Sequence, residues 1–150
     1  KVKVRGPEGQ FVLHQDYSKP AVFLSGGIGV TPFRSMIKYA TDKQLPVKII
    51  MFDSKRDRNN ILFKQEFDDW ANINKNLKII YTISEEDQSG QASSLSTADN
   101  WKGEYGRINK AVILKYLDAD ALKNSIFYTL LQEELEIPRD RIRVEEFTGY

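Results

Sequence analysis

Cysteine is absent from all 150 residues, so disulfides, iron–sulfur clusters, thiolate metal sites and cysteine nucleophiles are excluded within the chain. Histidine occurs once, at His14. With no cysteine and no acid at helical spacing beside it, a metal site is not expected there, and a turn hydrogen bond or solvent is the expected role. Long apolar runs are also missing. No stretch approaches the roughly 18 residues that cross a bilayer, and the chain is expected to be soluble, without a transmembrane segment. Nothing resembles a signal peptide, and Lys1 reads as a cut rather than a natural start, which leaves cytoplasmic and membrane-peripheral locations equally open. Excess charge of either sign is lacking too: 22 basic residues stand against 21 acidic ones. That balance argues against a nucleic-acid platform and an acidic-lipid patch, so any electrostatic function must be local.

What is present fits one domain built on one core. Short apolar runs at Ala21–Leu24, Val47–Phe52, Leu77–Ile83 and Ile126–Tyr128, with a weaker one at Arg141–Val144, read as buried strands. Amphipathic helices are predicted from about Pro32 to Ala40, Asn60 to Trp70, Asn109 to Leu117 and Leu130 to Leu135. The alternation predicts an α/β fold. It is an open, five-stranded, mostly parallel sheet in the order 3-2-1-4-5 counted from Ala21, with helices on both faces. Two segments fall outside the scheme. Lys1–Leu13 alternates, turns through Gly6-Pro7-Glu8-Gly9 and alternates again, like a β segment left over from another domain. Between Glu85 and Lys102 lies a polar stretch without periodicity, a surface loop of a length that often serves binding.

The most informative run is Ser25-Gly26-Gly27-Ile28-Gly29-Val30-Thr31-Pro32, directly after an apolar strand and directly before an amphipathic helix. Gly27 and Gly29 let a backbone approach a diphosphate with no Cβ in the way, and the helix start offers N–H groups and the positive dipole end. Thr31 is predicted to be the N-cap and Pro32 the first helical residue. For a lone G-x-G, a plain turn joining strand to helix would be the better reading.

Here the third glycine of the common dinucleotide fingerprint is a proline, giving Gly27-x-Gly29-x-x-Pro32. That loop, the following Phe33-Arg34-Ser35, the upstream Gly6-Pro7-x-Gly9-x-Phe11-x-Leu13, the Trp101-x-Gly103-x-x-Gly106-x-Ile108 run and the ending Glu145-Glu146-Phe147-Thr148-Gly149-Tyr150 occur in order along nearly the whole chain. Together they resemble the NAD(P)H-binding domain of the ferredoxin–NADP reductase superfamily. The resemblance implies that residues 1–19 are the tail of a flavin-binding barrel plus linker, and residues 20–150 the nucleotide domain. It also implies hydride transfer from NADP or NAD, in reduced form, to FAD held mainly by a barrel not included in this sequence, and onward to a redox acceptor. A nucleotide-sensing or assembly module without catalysis is the alternative.

By the same resemblance Gly26, Gly27, Gly29, Val30, Thr31 and Pro32 hold the diphosphate. Phe147 lies against the flavin ring and Glu145 orients the nicotinamide. After the second strand, Ser54, Arg56 and Arg58 suit a 2′-phosphate, since guanidinium forks pair well with phosphate oxygens, and favour NADPH. Asp53 could instead accept from an unphosphorylated ribose and favour NADH. Ser84 falls at the carboxyl edge of the sheet, where open α/β sheets bind ligands. One junction looks inconsistent: Ile126-Phe127-Tyr128 runs straight into Thr129-Leu130-Leu131 with no turn residue. A loop and part of a helix are expected to be missing between Tyr128 and Thr129, with Thr129 already inside the helix.

Overall fold

The computed structural model describes residues 11–84, 101–129 and 139–144. The elements in chain order are β1 (Ala21–Gly26), α1 (Thr31–Asp42), β2 (Ile49–Lys55), α2 (Lys64–Ile73), β3 (Leu77–Ile83), β4 (Glu104–Tyr105), α3 (Lys110–Tyr116), α4 (Ala119–Asn124), β5 (Ile126–Thr129) and β6 (Ile142–Val144). The fold is α/β, and every strand pairing is parallel.

Among the described residues the sheet has six strands rather than five, in the order β4-β3-β2-β1-β5-β6, so the expected five-strand order is corrected by one added edge strand. The added strand, β4, pairs with β3 through Thr82↔Glu104 and Ile83↔Tyr105. Two residues carry no alternation, which is why the sequence pattern missed it. β1 lies inside the sheet, between β2 and β5.

Strand residues alternate between two cores. Ala21, Phe23, Ile49, Met51, Leu77 and Tyr128 pack with Phe33, Met36, Ile37 and Ala40 of α1 and Phe67 of α2. Val22, Leu24, Ile50, Phe52, Ile80 and Phe127 pack with Ile113 and Leu117, with Ala121 and Leu122 of α4 against them. Helices therefore cover both faces, and burial on both sides explains why the strands read as continuous apolar runs. Of the residues ascribed to a barrel tail, Phe11, Leu13 and Tyr17 pack on the first core.

Three element assignments need correction. The helix expected from about Asn60 begins at Lys64: Arg58–Asn60 form a 3-10 turn and Phe63, at φ 58°, is the N-cap of α2. Leu62 and Phe63, which kept helical spacing in the sequence, are exposed. Helix α4 was not expected; its N-cap Asp118 accepts from the N–H of Ala121, a signal readable in hindsight. Thr129 is the last residue of β5, in register with Leu24 and Val144, so it does not belong to a helix and the strand is not interrupted after Tyr128. The helix expected from Leu130 and the polar stretch after Glu85 lie outside the described residues.

Candidate functional site

At the carboxyl end of β1 the chain turns through Gly27, whose φ is 56°, into a 3-10 turn at Gly27–Val30 and then into α1. A side chain other than glycine's is strained at that φ, although no atom lies within 4 Å of where a Cβ would stand. Open space in front of a left-handed glycine is what a close-approaching ligand requires. The N-cap of α1 is Val30, at φ −71° and ψ −19°, with no side-chain cap hydrogen bond. Thr31 is the first helical residue and Pro32 the second, so the expected threonine cap is corrected. Val30 is fully buried and fixes the turn to the core, while Thr31 is exposed. A helix of 12 residues thus begins at the sheet's carboxyl edge without a side-chain cap, with its positive dipole end beside Gly27. On its first turn Arg34 bonds Glu66 through Nε at 3.0 Å and Nη2 at 2.5 Å, and stacks 4.8 Å over the Phe63 ring.

Beneath this turn lies a buried ion pair. Asp53 and Lys55, two apart on β2, share one face of the strand, with side-chain exposures of 0% and 3%. The Lys55 Nζ donates to Asp53 Oδ1 at 2.8 Å and to the carbonyl oxygen of Gly27 at 2.6 Å. Burial pushes the Asp53 carboxyl above its ordinary pKa, and the bonded ammonium opposes the shift. Asp53 Oδ2 and the Ser25 hydroxyl, on strand positions in register, are buried without a hydrogen-bond partner. This placement turns Asp53 into the protein against Lys55 rather than toward an exposed ribose.

The other sequence-predicted residues follow β2 and β3 to the same edge. Ser54, half-buried, is in register with Gly26 and Thr82. Ser84 ties off β3: its N–H and its hydroxyl both donate to the Lys55 carbonyl, at 2.8 and 3.1 Å. Arg56 is exposed. The Arg58 guanidinium donates to the Tyr105 hydroxyl at 2.9 Å and lies 5.0 Å over the Trp101 ring. Gly103 lets the chain between those aromatics pass close to β3, since a Cβ there would fall on the Trp101 ring and 2.5 Å from the Tyr81 carbonyl oxygen.

The loop glycines, Ser54, Arg56, Arg58 and Ser84 thus occupy the carboxyl end of neighbouring strands. Glu145 and Phe147 lie outside the described residues. Sequence reasoning passed over Lys55 as part of a polar loop. The available signal was its spacing of two from Asp53 at a strand end, which places both side chains on one face. It also passed over the bond network of His14, whose ring and N–H reach the Tyr128 hydroxyl. Among the described residues no cluster of metal-ligating side chains occurs, and no helix is long and apolar enough to cross a membrane.

Residues 23–130 match the sequence profile of the oxidoreductase NAD-binding domain. The chain is 27% identical, over 99% of its length, to a component of the Na(+)-translocating NADH-quinone reductase of Idiomarina loihiensis, of which it covers 37%. It is 29% identical, over 82% of its length, to NADH-cytochrome b5 reductase 2 of Scheffersomyces stipitis, of which it covers 38%. The first alignment runs over 166 positions, more than the chain's own length, so that relative carries residues that this chain lacks. Among solved structures, the flavohem-like FAD/NAD-binding domain of nitric oxide dioxygenase from Vibrio cholerae shares the fold. It has a TM-score of 0.66 and 16% identity over 93% of this chain and 54% of that one.

Proposed function

The chain belongs to the oxidoreductase NAD-binding domain family, and on that footing we propose that it is the nucleotide-holding part of an NAD(P)H-dependent flavoprotein reductase. The observation that carries the reading is the start of α1: no side-chain cap at Val30, and a left-handed Gly27 with open space before it, at the carboxyl end of a strand inside a parallel sheet. A diphosphate fits there because backbone N–H groups and the helix dipole face it and no Cβ obstructs it.

When bound, the nicotinamide would supply the hydride and a flavin would take it up, so the chemistry would be the cofactors' own. What this chain contributes is position. Gly26 to Pro32 hold the diphosphate; Ser54 and Arg56 face the adenosine end and favour NADPH, with Arg58 held beside them on Tyr105 and Trp101; Ser84 closes the edge. Glu145 and Phe147 orient the nicotinamide and the flavin ring. Residues 1–19 continue from the flavin domain, and the packing of Phe11 and Leu13 on the first core supports a fixed path for that linker. The relatives' names speak of a quinone and of cytochrome b5 as acceptors, and a redox protein or small oxidant of that kind is proposed as the final partner.

The test is anaerobic mixing of the full-length protein with NADPH or NADH while the flavin's visible absorbance is followed. Bleaching by either nucleotide is the expected result. Nucleotide binding without bleaching would replace the reductase with a nucleotide-sensing module, and no binding would overturn the reading altogether.

A further inference from the structure

We propose that Lys55 is a positioning residue for nucleotide binding, which fixes the direction of the peptide plane after Gly27 by holding its carbonyl from inside the protein; this rests on the diphosphate site proposed above. The argument begins with the plane itself. In a trans peptide the carbonyl and the following N–H point in opposite directions and cannot turn separately. Among the described residues no peptide bond is cis. The carbonyl of Gly27 points inward, to the Lys55 Nζ at 2.6 Å. The N–H of Ile28, on the other side of the same plane, therefore points outward, away from the sheet and toward the space in front of the loop.

The 3-10 turn at Gly27–Val30 favours this plane but does not lock it. Gly27 has no Cβ to restrict it, so the peptide beside it can rotate at little steric cost, and a flipped plane would present an oxygen to the diphosphate instead of an N–H. The ammonium makes the flip costly. It would leave one of the lysine's buried donors without an acceptor, and burial makes such a loss far more expensive than in water.

Lys55 is itself anchored, because Asp53 Oδ1 accepts from it at 2.8 Å and both side chains are enclosed. The carboxylate offsets the charge of the lysine, so the pair acts on the loop through geometry more than through net potential. An exposed lysine in the same sequence position would bind phosphate directly. This one lies under the loop, on the side away from the ligand.

The test measures dissociation constants of the full-length protein for NADPH and NADH, together with thermal stability. Lys55→Met is expected to weaken both nucleotides alike, by about tenfold or more, because the diphosphate is common to them. Asp53→Asn keeps an oxygen for Lys55 but leaves its charge unpaired, so it is expected to lower stability while weakening both nucleotides clearly less than Lys55→Met does. A purely structural pair would lower stability and affinity in parallel in both variants. Should Lys55→Met fail to fold, the double variant Asp53→Asn/Lys55→Met, which strands neither charge, carries the same comparison. Wild-type affinity in a folded protein lacking the lysine, or equal loss from Asp53→Asn, would overturn the role of Lys55 while leaving the proposed function standing. Failure of the wild-type protein to bind either nucleotide would overturn both.

Discussion

The hydroxyl of Tyr128 accepts the backbone N–H of His14 at 2.8 Å and meets the same residue's Nδ1 at 2.9 Å. Nε2 of that ring lies 2.9 Å from the carbonyl oxygen of Lys19, which can only accept, so in the neutral ring Nε2 carries the proton and Nδ1 accepts from the tyrosine. One side chain thereby ties the segment proposed as the linker to β5 at two points. Tyr128 is fully buried and its hydroxyl is held protonated by burial. Tyr128→Phe keeps the ring's packing but leaves the His14 N–H and Nδ1 without this partner. It should cost about 1–3 kcal/mol in denaturant unfolding, the range for stranding a buried polar group. A change below about 0.5 kcal/mol would show that the linker is held by apolar packing alone.

The contrast between two glycines gives a second outcome. At Gly103 an added Cβ collides with the Trp101 ring and the Tyr81 carbonyl, so Gly103→Ala should destabilise by about 1–3 kcal/mol and shift the near-ultraviolet signal of the tryptophan. At Gly27 the same methyl meets nothing but must adopt φ 56°. Gly27→Ala should therefore cost only about 1–2 kcal/mol of stability while it weakens nucleotide binding, because the Cβ enters the space proposed for the diphosphate. Thermal melts and nucleotide titrations of both variants separate the two mechanisms.

Glycines, prolines and apolar runs are local signals, and the parts of the fold that depend on them were legible. The strand before Ser25, the turn through Gly27 and the helix with Pro32 near its start could be read without knowing where anything else lies. What needed the third dimension was not legible. Lys55 has a role only because the register Gly26↔Ser54 brings the end of β2 under the turn after β1. The exposure of Leu62 and Phe63 follows from a backbone bend at Phe63 that helical periodicity hides. Strand β4 depends on Gly103 passing close to β3, a tertiary contact invisible in two residues of sequence. The cap of α1 was misplaced by one residue, which lies within the ordinary uncertainty of helix ends.

Glu104, on edge strand β4, accepts from Lys115 Nζ at 2.6 Å and from the Tyr116 hydroxyl, joining the sheet edge to α3. Its hydrogen bonds with Lys115 and then Tyr116 hold its carboxyl below the ordinary pKa. The Tyr116 phenol is pushed up to about 12, first by the bond to Glu104. The signs follow. The lowered Glu104 contributes stability present above the ordinary carboxylate range and lost as pH falls through its folded pKa. The raised Tyr116 contributes stability present below the ordinary phenol value, lost as pH rises through about 12. Glu104→Gln should bring one tyrosine's ultraviolet titration back toward about 10. Identical titration curves for the two proteins would deny the bond.

The proposed preference for NADPH rests on two arginines that differ in how far each is engaged. Arg58 is held, its guanidinium on the Tyr105 hydroxyl at 2.9 Å and over the Trp101 ring. Arg56, two residues earlier and directly after β2, is exposed. A 2′-phosphate offers oxygens to a guanidinium fork, and a side chain standing in solvent can turn to meet it without giving up a buried partner. Arg56→Ala should therefore weaken NADPH by roughly 1.5–3 kcal/mol, the value of a charged hydrogen bond, and leave NADH nearly unchanged. Arg58→Ala removes the side chain that joins Trp101 and Tyr105, so it should weaken both nucleotides to a similar degree. Titration of the two variants with both nucleotides at low and high salt provides the check, since the exposed phosphate contact also fades with ionic strength. Equal losses for NADPH and NADH on removing Arg56 would exclude it as the reader of the 2′-phosphate, and a selective loss of NADPH on removing Arg58 would transfer that role to the stacked arginine.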